Sequence, residues 1–171
     1  IYYEHCSYFT PGSLARMFRK AGFRVDRLDI TYAGQYLTLE GGLAGEKVTP
    51  PLAVEEPVQS VVALAKSFTQ RFEAKQAEWQ ARIQEASRQG PVAVWGSGSK
   101  AVAFLRATDP ASKLIEHVVD INPHRQGHFM PGTGQRILSP SDLRAVAPAA
   151  VIVMNPIYRD EIAAELTRQG I

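Results

Sequence analysis

The sequence predicts an α/β protein: a reduced Rossmann-like parallel sheet with flanking helices, preceded by a long linking helix and a shorter segment of one helix and two strands. Three observations carry this. Short apolar runs at Val92–Trp95, Ile115–Val119 and Ala150–Met154 alternate with helical segments, a spacing that implies parallel strands joined by right-handed crossovers. A glycine loop, Gly96-Ser97-Gly98-Ser99-Lys100-Ala101, follows the first of these runs directly and opens a helix. Upstream, residues 58–89 contain neither proline nor glycine, as one long helix requires.

The elements follow in order. Thr10-Pro11 offers a capping hydroxyl and a proline at the first helical position, and Leu14, Met17 and Phe18 then recur at helical spacing until Gly22. Phe23, Val25, Leu28 and Ile30, then Tyr36, Leu37 and Leu39, form two β-rich runs separated by Ala33-Gly34, a strand pair joined by a turn. Such a unit buries little surface alone and reads as the closing piece of a larger α/β domain. Gly41-Gly42, Thr49-Pro50-Pro51 and Glu55-Glu56-Pro57 mark a linker. In the long helix Val61, Leu64, Ala65, Phe68, Phe72, Trp79 and Ile83 keep helical spacing, with mixed charges on the other face. A helix signal at Ser139-Pro140-Ser141-Asp142-Leu143 precedes the third strand, and a last helix carries Ile162 and Leu166.

Composition narrows the function classes. The chain has 171 residues, 45% hydrophobic and 21% charged, with a net charge of +2, so it is expected to fold and not to be disordered. Its basic residues are interspersed with acids, which argues against a nucleic-acid partner. No apolar run approaches the ~18 residues of a membrane span. The single cysteine, Cys6, excludes an internal disulfide and a cysteine-cluster zinc site, and suits a reducing, cytoplasmic setting. The chain opens at Ile1 without an initiator methionine and is expected to be a piece of a longer protein.

The glycine loop matches G-x-G-x-x-G/A, with Asp120 at the end of the next strand. In that setting glycines let the backbone approach a phosphate, a helix N-terminus offers amide donors, and the acid accepts a ribose hydroxyl. The same glycines also serve a tight turn in domains that bind nothing. A complete dinucleotide domain needs two halves, whereas the chain after the loop holds only one. A phosphate-bearing ligand and a purely structural turn both stay open, and a full NAD site is not expected. Between Asp120 and Ser139 runs a long polar loop whose His124, Arg125 and His128 are expected to meet an anionic ligand beside Ser97, Ser99 and Lys100. Two histidines without flanking cysteines or acids are not read as a metal site. At the start, Tyr2, Glu4 and His5 crowd a phenol, a carboxylate and an imidazole together. On an extended chain His5 faces away from the other two, so cooperation needs a turn. The alternative is an aromatic-rich strand end packed in a core.

Tyr2-Tyr3-Glu4-His5-Cys6-Ser7-Tyr8-Phe9-Thr10 with Ala21-Gly22-Phe23 resembles the closing helix and strands of a class I S-adenosylmethionine-dependent methyltransferase. The Y-x-E-H form, followed by Val94-Trp95-Gly96-Ser97-Gly98-Ser99-Lys100, Val118-Val119-Asp120-Ile121-Asn122-Pro123, Gln126-Gly127, Pro131-Gly132-Thr133 and Ser139-Pro140, is similar to the nucleotide-sugar C-methyltransferases and their C-terminal domain. The resemblance implies three parts: the end of a catalytic domain at 1–42, a linker at 43–57, and the long helix with a Rossmann-like domain at 58–171. It implies Tyr2, Glu4 and His5 as catalytic residues, and a nucleoside-diphosphate deoxysugar as the partner. Gly96, Ser97, Gly98, Ser99, Lys100, Asp120, Asn122, Pro123 and His128 are the expected substrate-binding residues, with no metal among them. S-adenosylmethionine, and a zinc in a cysteine-rich N-terminal domain, are implied for parts of the family that precede this region. The competing readings are a free-standing NAD-type nucleotide-binding module and a purely structural docking domain.

Overall fold

The computed structural model describes residues 4–45 and 49–171, and by internal contacts it divides into two compact units, Cys6–Arg71 and Phe72–Ile171 with Glu4 and His5. The first unit holds helix α1 (Pro11–Lys20) and strands β1 (Phe23–Thr31) and β2 (Tyr36–Leu43). Thr10 caps α1 reciprocally: its Oγ1 accepts from the Ser13 amide at 3.3 Å, and Ser13 Oγ accepts from the Thr10 amide at 2.8 Å. Two otherwise orphaned donors are thereby satisfied. β1 and β2 pair antiparallel from Phe23↔Leu43 to Thr31↔Tyr36, with a bulge between Val25 and Arg27. Ala15, Val25 and Leu28 form the buried centre, with Leu14, Phe18, Leu37 and Leu39 against it, whereas Met17 and Ile30 stay exposed.

Residues 52–56, within the stretch read as a linker, are tied to α1 and its core. Leu52 packs on the same core. Glu55 grips Arg19 with both carboxylate oxygens at 2.7 Å and accepts from the Leu52 amide. Glu56 accepts from Thr10 Oγ1 and from the Gly12 amide at 3.0 Å, and Arg16 lies alongside. The hydrogen bond from Arg19 holds the Glu55 carboxyl below the ordinary carboxylate range. For Glu56, burial pushes the carboxyl up, but the bonds from Thr10 and Gly12 outweigh it and the net displacement is also downward. Since both values are lowered on folding, the stabilisation is present above the ordinary glutamate range and is lost as the pH falls below it. The Gly12 and Leu52 amide resonances are therefore expected to titrate with midpoints below that range; midpoints at the ordinary value would show the clamp open in solution.

Helix α2 (Val58–Ser87) runs through both units. The second unit then continues with β3 (Val92–Trp95), α3 (Ser99–Thr108), β4 (Ile115–Val119), β5 (Ile137–Leu138), the one-turn α4 (Leu143–Val146), β6 (Ala150–Val153) and α5 (Arg159–Gln169). The strands form one parallel sheet in the order β5-β4-β3-β6. All four residues of β3 are buried, as a central parallel strand covered on both faces demands. Val92 and Val94 face a core with Ile83 of α2 and Val102 and Leu105 of α3. Ala93 and Trp95 face the opposite core, with Leu143 of α4 and Ile162 of α5. Trp79 of α2 meets Phe104 of α3 edge to face, ring centroids 5.2 Å apart. The chain moves outward from β3 to β4 and β5, then returns to β6 on the other side of β3. That reversal puts a topological switch point at the carboxyl end of β3, where open α/β sheets form crevices. Among the described residues no helix is long and apolar enough to cross a membrane.

Candidate functional site

The turn leaving β3 is built by Gly96, which takes φ +107° and whose absent Cβ would sit 3.4 Å from Met154 Cβ. A left-handed backbone of that kind is strained for other residues. Gly98, the N-cap of α3, is different: its φ is −75°, and a Cβ there would meet only the Arg125 guanidinium, at 3.5 Å. Neither conformation nor packing demands glycine at this position. What glycine provides is bare backbone at the start of α3.

Asp120, at the end of β4, is buried and acts as the clasp of this turn. Its Oδ2 accepts from the Ser97 amide at 2.8 Å and from the Ser97 hydroxyl, and its Oδ1 accepts from the Asn122 amide at 2.9 Å. Arg125 Nη1 lies 3.6 Å from Oδ2 and 3.4 Å from Ser97 Oγ. Burial alone pushes this carboxyl up; the bonds from Ser97 and Asn122, with Arg125 beside them, outweigh it and hold Asp120 below the ordinary carboxylate range. Asp120, the motif position expected to meet a ribose hydroxyl, thus also ties the turn after β3 to the loop after β4, and serine at position 97 supplies both an N–H and an O–H toward it.

The long loop after β4 is folded, not open. Gln126 Nε2 donates to the Asp120 carbonyl at 2.9 Å, while the Gly127 amide donates to Ile137 and the Ile137 amide to His128, both at 2.8 Å. Met130 is buried, and the Phe129↔Arg136 bridge closes the excursion onto β5. His124, Arg125 and His128 are consequently held opposite the turn after β3.

Between the two loops lies a cavity of about 360 Å³, within the ~300 to 1,000 Å³ typical of small-ligand sites. One wall is Ser97, Gly98, Ser99 and Val102; the other is His124, Arg125, His128, Phe129 and Pro131, and Ile137 of β5 also lines the cavity. Glu4 also lines it. Of the expected site residues, Ser97, Gly98, Ser99, His128 and Glu4 thus meet at one cavity. Gly96, Asp120 and Asn122 shape its loops instead, and Lys100 and Pro123 are not on its wall among the described residues. His5 is exposed, and Tyr2 lies outside the described residues. Pro131 was quoted only as part of the family motif and Phe129 not at all; their position in the same loop as His128 was the available signal. No group of three or more His, Cys, Asp or Glu among the described residues is placed to hold a metal ion.

A parallel sheet covered by helices on both faces, with its glycine turn and a cavity at the carboxyl edge, defines a Rossmann-like domain. Residues 44–170 match the C-methyltransferase C-terminal domain, and the chain belongs to that family. It is also 27% identical over 173 residues to the C-methyltransferase NovU of Streptomyces niveus, an alignment covering 95% of this chain and 41% of that protein. The chain spans less than half the length of that curated relative.

Proposed function

We propose that this chain is the C-terminal region of an S-adenosylmethionine-dependent C-methyltransferase acting on a keto-deoxysugar carried by a nucleoside diphosphate. In this reading residues 1–42 end the catalytic domain, 43–57 link, and 58–171 hold the nucleotide sugar. The observation that carries it is the cavity itself: Glu4, from the segment that the family resemblance gives as catalytic, lines the same cavity as the Ser97–Ser99 turn and Arg125. A cationic wall suits a diphosphate, and a carboxylate on the same cavity suits proton removal beside a ketone. Tyr2, Glu4 and His5 would take that proton and donate to the enolate oxygen. S-adenosylmethionine supplies an electrophilic methyl group when bound. By the family resemblance, the methyl donor and the zinc belong to the parts of the family that precede this region. The 171 residues alone would then be inactive.

Nucleoside diphosphates are expected to raise the thermal midpoint of the protein, and Gly98→Val to remove that effect, since the added side chain enters the cavity without backbone strain. Stabilisation by NAD alone, abolished by the same substitution, would favour the dinucleotide-module reading instead.

A further inference from the structure

We propose that Arg125 selects the phosphorylated form of the ligand in this cavity, and that Asp120 is a positioning residue that fixes the guanidinium through Ser97. The proposal rests on the reading of the cavity as a nucleotide-sugar site and names the group that discriminates there.

Three features on different elements converge on Arg125. It lines the cavity, and its side chain keeps 47% of its surface exposed while the Asp120 side chain below it keeps 11%. One corner of its guanidinium is anchored: Nη1 lies 3.4 Å from Ser97 Oγ and 3.6 Å from Asp120 Oδ2. These contacts use Nη1, and a guanidinium carries three further N–H donors on Nη2 and Nε, in a planar fork that matches two phosphate oxygens. A lone arginine on a loop would have to lose its rotamer freedom when the ligand arrives; an arginine already pinned at one corner loses less. The pin is itself well supported, because the Asp120 carboxylate is held by the amides of Ser97 and Asn122 and its carbonyl by Gln126. Gly98 completes the arrangement: a Cβ there would touch the same Nη1 at 3.5 Å, so glycine leaves the guanidinium and the start of α3 open to one ligand. Arg125 is the one arginine or lysine among the described residues that line this cavity.

The test is calorimetry on the full-length protein with dTDP, thymidine and inorganic pyrophosphate as probes, on wild type, Arg125→Gln, Arg125→Lys, Asp120→Asn and the Asp120→Asn/Arg125→Gln double variant. Losing a charge-assisted pair is expected to weaken dTDP and pyrophosphate ~10- to 100-fold, with thymidine changed less than about twofold and the thermal midpoint unchanged, since Arg125 is half exposed. Lysine keeps the charge but not the fork, so Arg125→Lys is expected to recover only part of the loss. Asp120→Asn is expected to weaken dTDP in wild type and to add nothing in the Arg125→Gln background. Equal dTDP affinity in wild type and Arg125→Gln would overturn the role of Arg125 while leaving the cavity reading intact. An Asp120→Asn loss of the same size in both backgrounds would overturn its positioning role. Absence of any binding of dTDP and pyrophosphate to wild type would overturn the nucleotide-sugar reading itself, and this inference with it.

Discussion

Replacing His5 by glutamine in the full-length protein is expected to lower methyl transfer ~10²- to 10⁴-fold, the usual cost of losing a general base. Histidine is the side chain best matched to taking a proton near neutral pH, and an adjacent carboxylate can orient it or share the proton. The sequence puts Glu4 beside it, and the structure gives Glu4 a turn conformation and a place on the cavity wall. A turn is what neighbouring residues need if they are to act together, since an extended chain points them to opposite sides. Exchange of solvent deuterium into the substrate carbon separates the roles. If His5→Gln keeps near-normal turnover and normal exchange, His5 is not the base, and Glu4→Gln becomes the variant expected to lose both. If His5→Gln keeps exchange but loses transfer, the histidine acts after proton removal, on the enolate.

How much of this was legible in the sequence depended on the range of the interactions involved. β3 is four consecutive apolar residues followed at once by a glycine at φ +107°; both signals are local, and both elements lie where the pattern put them. α1 is fixed by a cap within four residues of chain, and α2 by the absence of breakers, so its end at Ser87 falls two residues from the expected one. β5 was missed because two residues, Ile137–Leu138, cannot display a period of two; they become a strand only by pairing with Val118 and Val119. The grip of Glu55 and Glu56 on α1 was equally invisible, since those partners are 36 to 46 residues apart in the chain. Asp120 was legible as an acid at the end of β4, but its bonds from Ser97 were not, because the two residues lie 23 positions apart in the chain. Arg125 was visible as a basic group in a polar loop; its anchoring was not, because it depends on that same clasp.

Asp109→Ala is expected to destabilise the sheet unit by about 3 kcal/mol, a large share of the ~5 to 15 kcal/mol that holds a domain together. Asp109 closes the connection from α3 to β4 and is itself buried. Its Oδ1 accepts from the Lys113 amide at 3.1 Å, and its Oδ2 from the amides of Leu114 at 2.9 Å and Ile115 at 2.8 Å. Its own amide donates to Leu105 at the end of the helix. One side chain therefore satisfies three backbone donors where the chain reverses into the sheet, and Ile115, the first residue of β4, is fully buried. Alanine leaves those donors without an acceptor, at ~1 to 3 kcal/mol for each that water cannot reach; Lys113 is the one most able to find water, so the sum falls short of three full penalties. Asparagine keeps one oxygen but turns an NH₂ toward the remaining donors, so Asp109→Asn is expected to recover only part of the loss. Urea unfolding followed by the fluorescence of Trp95, which is buried in this unit, gives the measurement. A loss below about 1 kcal/mol for alanine would mean that the connection refolds around the deletion, and that the α3–β4 crossover is held by the packing of Leu105 and Ile115 without this clasp.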